Sequence, residues 1–240
     1  MPVRPPTLLR PLGAVSRMIA DFVFPPVCLS CNLPLESGAS ITCPACRRAM
    51  VDVDDWDERY RSACGSLCSA GDIAGFVAAW YFEEGGAVQA LVHALKYGGI
   101  QGAGTAMGRA LGERVGEAGY ATADAVIALP LHPARSRERG FNQAECIAGG
   151  VSLATGIPLG RHIVRRRRFT PSQTALTGAE RDRNMRGAFA PARRARDAAG
   201  MSVLLVDDVV TTGATMRQCA AALRAAGART VIACAVALAR

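Results

Sequence analysis

The sequence is short of aromatics, lysine and histidine. Half of its 240 residues are hydrophobic but only 5% are aromatic, so the core must be built from Ala, Val and Leu, as in compact α/β proteins. Lysine occurs once, at Lys96; every other basic side chain of this type is arginine. The three histidines, His93, His132 and His162, are scattered, and no Ser/His/Asp arrangement is evident. There is no run of 18 apolar residues, which excludes a membrane-spanning helix. The N-terminus lacks the continuous apolar stretch and small-residue cleavage site of a signal peptide, and Arg4, Arg10 and Arg17 interrupt it. The length leaves room for one domain with an appendage, or for two small domains.

What is present is unevenly placed. The nine cysteines include six between Cys28 and Cys68, with Cys146, Cys219 and Cys234 apart. An odd count with two tight Cys-x-x-Cys pairs favours metal binding over disulfides and fits a reducing cytoplasm. The net charge is +8, yet residues 161–196 alone hold eleven arginines against Glu180 and Asp182, a surplus larger than that of the whole chain. The basicity is therefore local and marks a site for an anion.

Leu8, Leu12, Val15, Ile19 and Phe22 recur at helical spacing, so residues 1–23 predict an amphipathic helix, closed by Pro25 and Pro26. Residues 24–50 hold the cysteine knuckle. Residues 51–74 are polar and acidic and read as a linker. Residues 75–240 then alternate apolar strands (76–82, 125–129, 203–206, 231–238) with helical patterns (88–97, 105–115, 143–154, 214–226). That alternation implies a parallel sheet with helices on both faces. The Arg-rich stretch 161–200 has little periodicity and predicts a functional loop or lid.

The most specific signal runs from Val203 to Thr215: four apolar residues, Asp207 and Asp208, then Val209-Val210-Thr211-Thr212-Gly213-Ala214-Thr215. A buried strand delivers two carboxylates at its carboxyl end, and a tight turn opens a helix. Hydroxyls and free amides at that turn suit a phosphate, and Gly213 lets the backbone approach it. Paired acids there suit ribose hydroxyls or a hydrated Mg²⁺. Phosphate, diol and metal together describe a phosphorylated ribose. Separately, Cys28-x-x-Cys31 and Cys43-x-x-Cys46 form a four-thiolate pattern expected to bind a structural Zn²⁺. Cys64 and Cys68 stand outside it, as a second metal pair or as free thiols.

Residues 203–215 resemble the binding motif of type I phosphoribosyltransferases for 5-phosphoribosyl-1-pyrophosphate (PRPP). Two more stretches, Leu129 to Pro133 leading to Arg139-Gly140-Phe141-Asn142-Gln143, and Thr170-Pro171-Ser172-Gln173 followed by Arg181 and Asn184, join the knuckle in resembling the ComF family. The resemblance covers most of the chain. It implies a Rossmann-like type I phosphoribosyltransferase domain with an N-terminal zinc finger, and a link to DNA uptake in natural competence. By it, Asp207 and Asp208 meet the ribose hydroxyls and Thr211, Thr212, Gly213, Ala214 and Thr215 hold the 5′-phosphate. The loop carrying His132, Arg135 and Arg139, with Lys96, is the expected pyrophosphate site. Thr170, Gln173, Arg181 and Asn184 are the expected lid. Zn²⁺ and Mg²⁺ are the expected metals, and PRPP the expected ligand. Single-stranded DNA and the competence machinery are further partners on this reading. A non-catalytic protein that binds PRPP and single-stranded DNA is the alternative.

Overall fold

The computed structural model describes residues 26–35, 41–167 and 187–239. The expected N-terminal helix lies outside them. The elements are α1 (Pro44–Arg48), α2 (Glu58–Cys68), β1 (Gly75–Phe82), α3 (Ala87–Lys96), α4 (Gln101–Glu117), β2 (Ala125–Ala128), α5 (Pro133–Arg139), α6 (Gln143–Thr155), β3 (Val164–Arg166), β4 (Phe189–Pro191), β5 (Ser202–Val210), α7 (Ala214–Ala225) and β6 (Thr230–Ala239). A 3₁₀ turn at Ala195–Ala198 precedes β5.

Four strands form one parallel sheet in the order β1-β6-β5-β2, and β3 pairs with β4 as a separate antiparallel hairpin. The central strands β5 and β6 are apolar and almost wholly buried, as a sheet covered on both faces requires. Alternation along β5 sorts its side chains. Val203 and Leu205 enter the core layer that holds Leu67, Met216 and Leu223. Leu204 and Val206 enter the opposite layer, with Leu91, Met107 and Ile147. The expected α/β sheet with helices on both faces is thus present.

One expectation is corrected. Residues 51–74 are not a linker. Val53 N donates to Ala79 O (3.0 Å) and Tyr81 N to Val51 O (2.8 Å), so the chain first lines the outer edge of β1. It then forms α2, capped by Asp57, whose side chain accepts from Arg59 N. Leu67 on α2 is 1% exposed, and the Tyr60 hydroxyl donates to Phe76 O. The acids that made this stretch look solvated do local work instead. Asp54 accepts from Trp56 N, and Asp55 pairs with Arg114. The apolar face (Tyr60, Cys64, Leu67) is short and is masked by their number.

Helices α4 and α6 approach closely because glycines face each other. A Cβ on Gly108 would lie 2.0 Å from Ile147 O, and one on Gly150 would lie 2.2 Å from Thr105 O. Gly150→Ala should therefore destabilise the protein by about 1–3 kcal/mol in thermal or denaturant unfolding. Gly149→Ala, one residue away with nothing within 4 Å, should be neutral or stabilising by up to ~1 kcal/mol.

Candidate phosphoribosyl site and metal knuckle

Strand β5 runs on to Val210, so Asp207 and Asp208 sit within it rather than beyond it. Consecutive strand residues face opposite sides. Asp208 turns to the layer of α3, where Lys96 Nζ donates to its Oδ1 at 2.8 Å. It is 4% exposed, and its Oδ2 is buried with no hydrogen-bond partner among the described residues. Asp207 takes the other side, where it feels the charge of Arg166 from β3. Burial, and then the neighbouring Asp208, push Asp207 up to about 7; the Asp208 N–H (2.8 Å), Lys96 and Arg166 oppose this.

The turn after β5 leads directly into a helix. Gly213 has φ +72°, and α7 starts at Ala214, so the N-terminus of a twelve-residue helix opens beside Thr211 and Thr212. Thr211 is exposed, Thr212 and Thr215 are half-buried, and Ala214 is buried. The turn is supported from below. A Cβ on Gly213 would lie 2.4 Å from Leu67 of α2, and Arg217 Nη1 donates to Thr212 O (2.9 Å) and Ser66 O (3.3 Å). The sequence reading missed this role of α2; the spacing of Tyr60 and Leu67 was the available signal.

The stretch after β2 is a helix, α5, rather than a plain loop. His132 is its N-cap, with Nδ1 accepting from Ala134 N at 3.2 Å, so this face of the ring is committed to the backbone. Arg135 is near enough to Arg166 to lower that side chain's pKa, after the larger effect of burial. Arg139 Nη1 donates to Gln143 Oε1 (3.0 Å), and its guanidinium lies 5.6 Å from the Tyr97 ring centroid. Asn142 caps α6 through Ala144 N (3.1 Å) and pins the end of β2 by donating to Leu129 O (3.1 Å). A cavity of about 270 Å³ lies beside this stretch, with Leu131, Ser136, Arg165 and Arg166 among its lining. Thr170, Gln173, Arg181 and Asn184 lie outside the described residues. Lys96, Arg139, Asp207 and Asp208 are thus gathered at the carboxyl ends of β2 and β5. Lys96, at the end of α3, meets the acid of β5.

The four thiols of Cys28, Cys31, Cys43 and Cys46 lie within 4.8 Å of one another. Cys31 and Cys43 Sγ are 3.8 Å apart, close to the edge of about 3.8 Å that a tetrahedron with Zn–S near ~2.3 Å requires. Cys43 caps α1, its sulfur accepting from Cys46 N (3.4 Å). Burial works against ionising Cys28, yet the backbone amides of Cys31, Cys43 and Ser30 pull it down to about 6, while Cys46 is raised to about 12. Thiolates this close repel each other unless a cation sits among them, so the group fits a metal ion. The knuckle is packed onto the body: Leu29, Ile41 and Cys46 rest on the core layer of Met50 and Trp80, and Arg47 lies over Trp80 at 5.3 Å. Cys64 and Cys68 do not join the group. They face the core from α2, where burial and then Cys64 raise Cys68 to about 11.

The family model described as "Phosphoribosyl transferase domain" matches residues 143–240. Competence protein F of Haemophilus influenzae is 36% identical over 104 residues, covering 43% of this chain and 45% of that protein, so this match spans about half of it. The DNA utilization protein YhgH of Shigella flexneri is 29% identical over 221 residues, covering 86% of this chain and 94% of the relative. Among solved structures, the glutamine PRPP amidotransferase from B. subtilis overlaps at a TM-score of 0.37 with 26% identity, over 55% of this chain and 26% of that one. With its parallel sheet and the turn after two strand acids, the C-terminal part, residues 143–240, matches a phosphoribosyltransferase domain. Its matches to Competence protein F and to YhgH, together with the four-cysteine knuckle, agree with the resemblance to the ComF family.

One metal ion per chain should survive mild native mass spectrometry. It should be lost with Cys31→Ser and retained with Cys64→Ser, since only the first removes a member of the thiol group.

Proposed function

We propose that this protein binds PRPP with Mg²⁺ and transfers its phosphoribosyl group to an acceptor. The observation that carries the reading is Asp208. One oxygen is held by Lys96, and the other is buried with no donor among the described residues, towards the carboxyl end of a central strand. Ligands of open α/β sheets bind at such strand ends. Leaving a buried acceptor unmatched costs about 1–3 kcal/mol. A ribose hydroxyl or a metal-bound water would supply the missing donor.

On this reading Asp207 and Asp208 orient the ribose, each from its own side of the sheet. Thr211, Thr212, Gly213, Ala214 and Thr215 hold the 5′-phosphate on amides and hydroxyls. Arg135 and Arg139 meet the pyrophosphate, with Lys96 near enough to Asp208 to serve both groups. His132 contributes by shaping the start of α5. Magnesium, bound by the pyrophosphate and these carboxylates, would neutralise charge on the leaving group. The bond from C1′ to pyrophosphate breaks with its electrons on the leaving oxygen, and the acceptor's lone pair forms the new bond. Developing positive charge at C1′ is best met by fixed carboxylates in a site that excludes water. Thr170, Gln173, Arg181 and Asn184 are assigned to the cover. We assign zinc to the knuckle, residues 51–74 to the transferase domain, and a cytoplasmic setting to a chain whose nine cysteines are all unpaired.

Calorimetry with PRPP and Mg²⁺ should detect binding that weakens about ten- to a hundredfold in Asp208→Asn and in Thr212→Ala. Affinity should also rise from pH 6 to pH 8. Asp207 is drawn up to about 7, so it is largely neutral below that pH and becomes a full acceptor only above it. No binding by the wild type at pH 8 would sink the reading.

A second reading, DNA handling, is favoured by Arg161, Arg165, Arg167, Arg193, Arg194 and Arg196, all exposed around the β3–β4 hairpin. It is supported by relatives named for competence and DNA utilization. Such a surface would take single strands through their phosphates. Affinity for a labelled oligonucleotide should fall steeply with salt, with a log–log slope shallower by roughly 0.7 for each phosphate-contacting arginine replaced by Gln. Unchanged affinity in an Arg165→Gln, Arg167→Gln variant would remove it.

A further inference from the structure

The last turn of α3 carries more than Lys96. Tyr97, its C-cap, is 70% exposed, although no core packing is gained by leaving so large a ring in water. The ring is engaged on polar terms instead. The guanidinium of Arg139 lies over it at 5.6 Å, and His93, one turn back, packs against it at 5.0 Å with planes tilted by 59°. Arg139 is held a second time by Gln143 Oε1 at 3.0 Å, and Gln143 is 7% exposed and therefore fixed in place.

We infer that Tyr97 is the positioning residue for Arg139. Arg139 ends α5, and Gly140 follows in a left-handed cap, φ +77°, so the backbone turns away at the point where the side chain leaves. A long arginine there would sample many rotamers. A ring on one side and a buried amide oxygen on another confine the guanidinium to one plane, and a pre-oriented fork loses less freedom when it meets phosphate oxygens. The same turn of α3 places Lys96 on Asp208. Consecutive residues therefore tie the acid of β5 and the arginine of α5 to one helix end. The inference rests on the reading above, in which Arg139 meets the pyrophosphate, and adds a residue to that site.

The test compares two ligands by calorimetry, PRPP with Mg²⁺ and ribose 5-phosphate, which lacks the group that Arg139 would touch. Tyr97→Leu should weaken PRPP binding about two- to fivefold and leave ribose 5-phosphate unchanged. Tyr97→Phe, which keeps the aromatic face, should restore the wild-type value. In an Arg139→Ala background, Tyr97→Leu should have no further effect, because the two residues act as one unit. Three results overturn the inference: PRPP binding untouched in Tyr97→Leu, equal weakening of both ligands, or losses that add in the double variant. A wild-type protein that binds neither ligand overturns the transferase reading itself and this inference with it. Intact wild-type binding with any of the three results overturns only the role of Tyr97.

Discussion

The ion pair between Lys96 and Asp208 is the constraint around which the site is arranged. A carboxylate at 4% exposure is costly to keep unless a cation meets it, and the chain's single lysine does so at 2.8 Å from a different layer of the fold. Removing either partner would strand the other in a dry place. The pair also fixes where α3 must end, and so where Tyr97 and the start of α4 must be. Because only one carboxylate oxygen is met among the described residues, the arrangement pairs the lysine and leaves the acid able to accept one more donor.

The support for this arrangement comes from parts that carry no chemistry. Leu67 of α2 lies directly beneath Gly213, so the turn beside the helix N-terminus rests on a side chain from a segment 146 positions earlier in the chain. Asn142 ties the end of β2 to the start of α6, which sets the direction of α5. On the other face, the glycine-mediated approach of α4 and α6 joins two helices into one slab across the sheet, α4 under β1 and β6 and α6 under β2 and β5. Each of these contacts places a functional group through the backbone rather than by touching a ligand.

Much of this was legible in the residues. The apolar run ending in two acids and a Thr-Thr-Gly turn located the strand, the crossover and the helix, and the Cys-x-x-Cys pairs located the knuckle. Other features were hidden for physical reasons. Two adjacent acids look like a pair in sequence, but strand alternation separates them onto two faces. His132 also caps a helix, a role that the Pro133 that follows signals but that emerges only once α5 is seen. The acids of 51–57 suggested solvation because composition outweighed three apolar positions at helical spacing. Lys96 was legible as unusual, yet its partner lies 112 residues away and could only be found in three dimensions.

The placement of Asp207 and Asp208 on opposite sides of the sheet has a wider consequence. The two hydrophobic layers lie on opposite faces of the sheet. Any small molecule that touches both acids must straddle the rim where those strands end, and so bears on both layers at once. Occupancy would then act as a clasp between the halves of the domain, so that disturbances begun far inside either half would be felt at the rim.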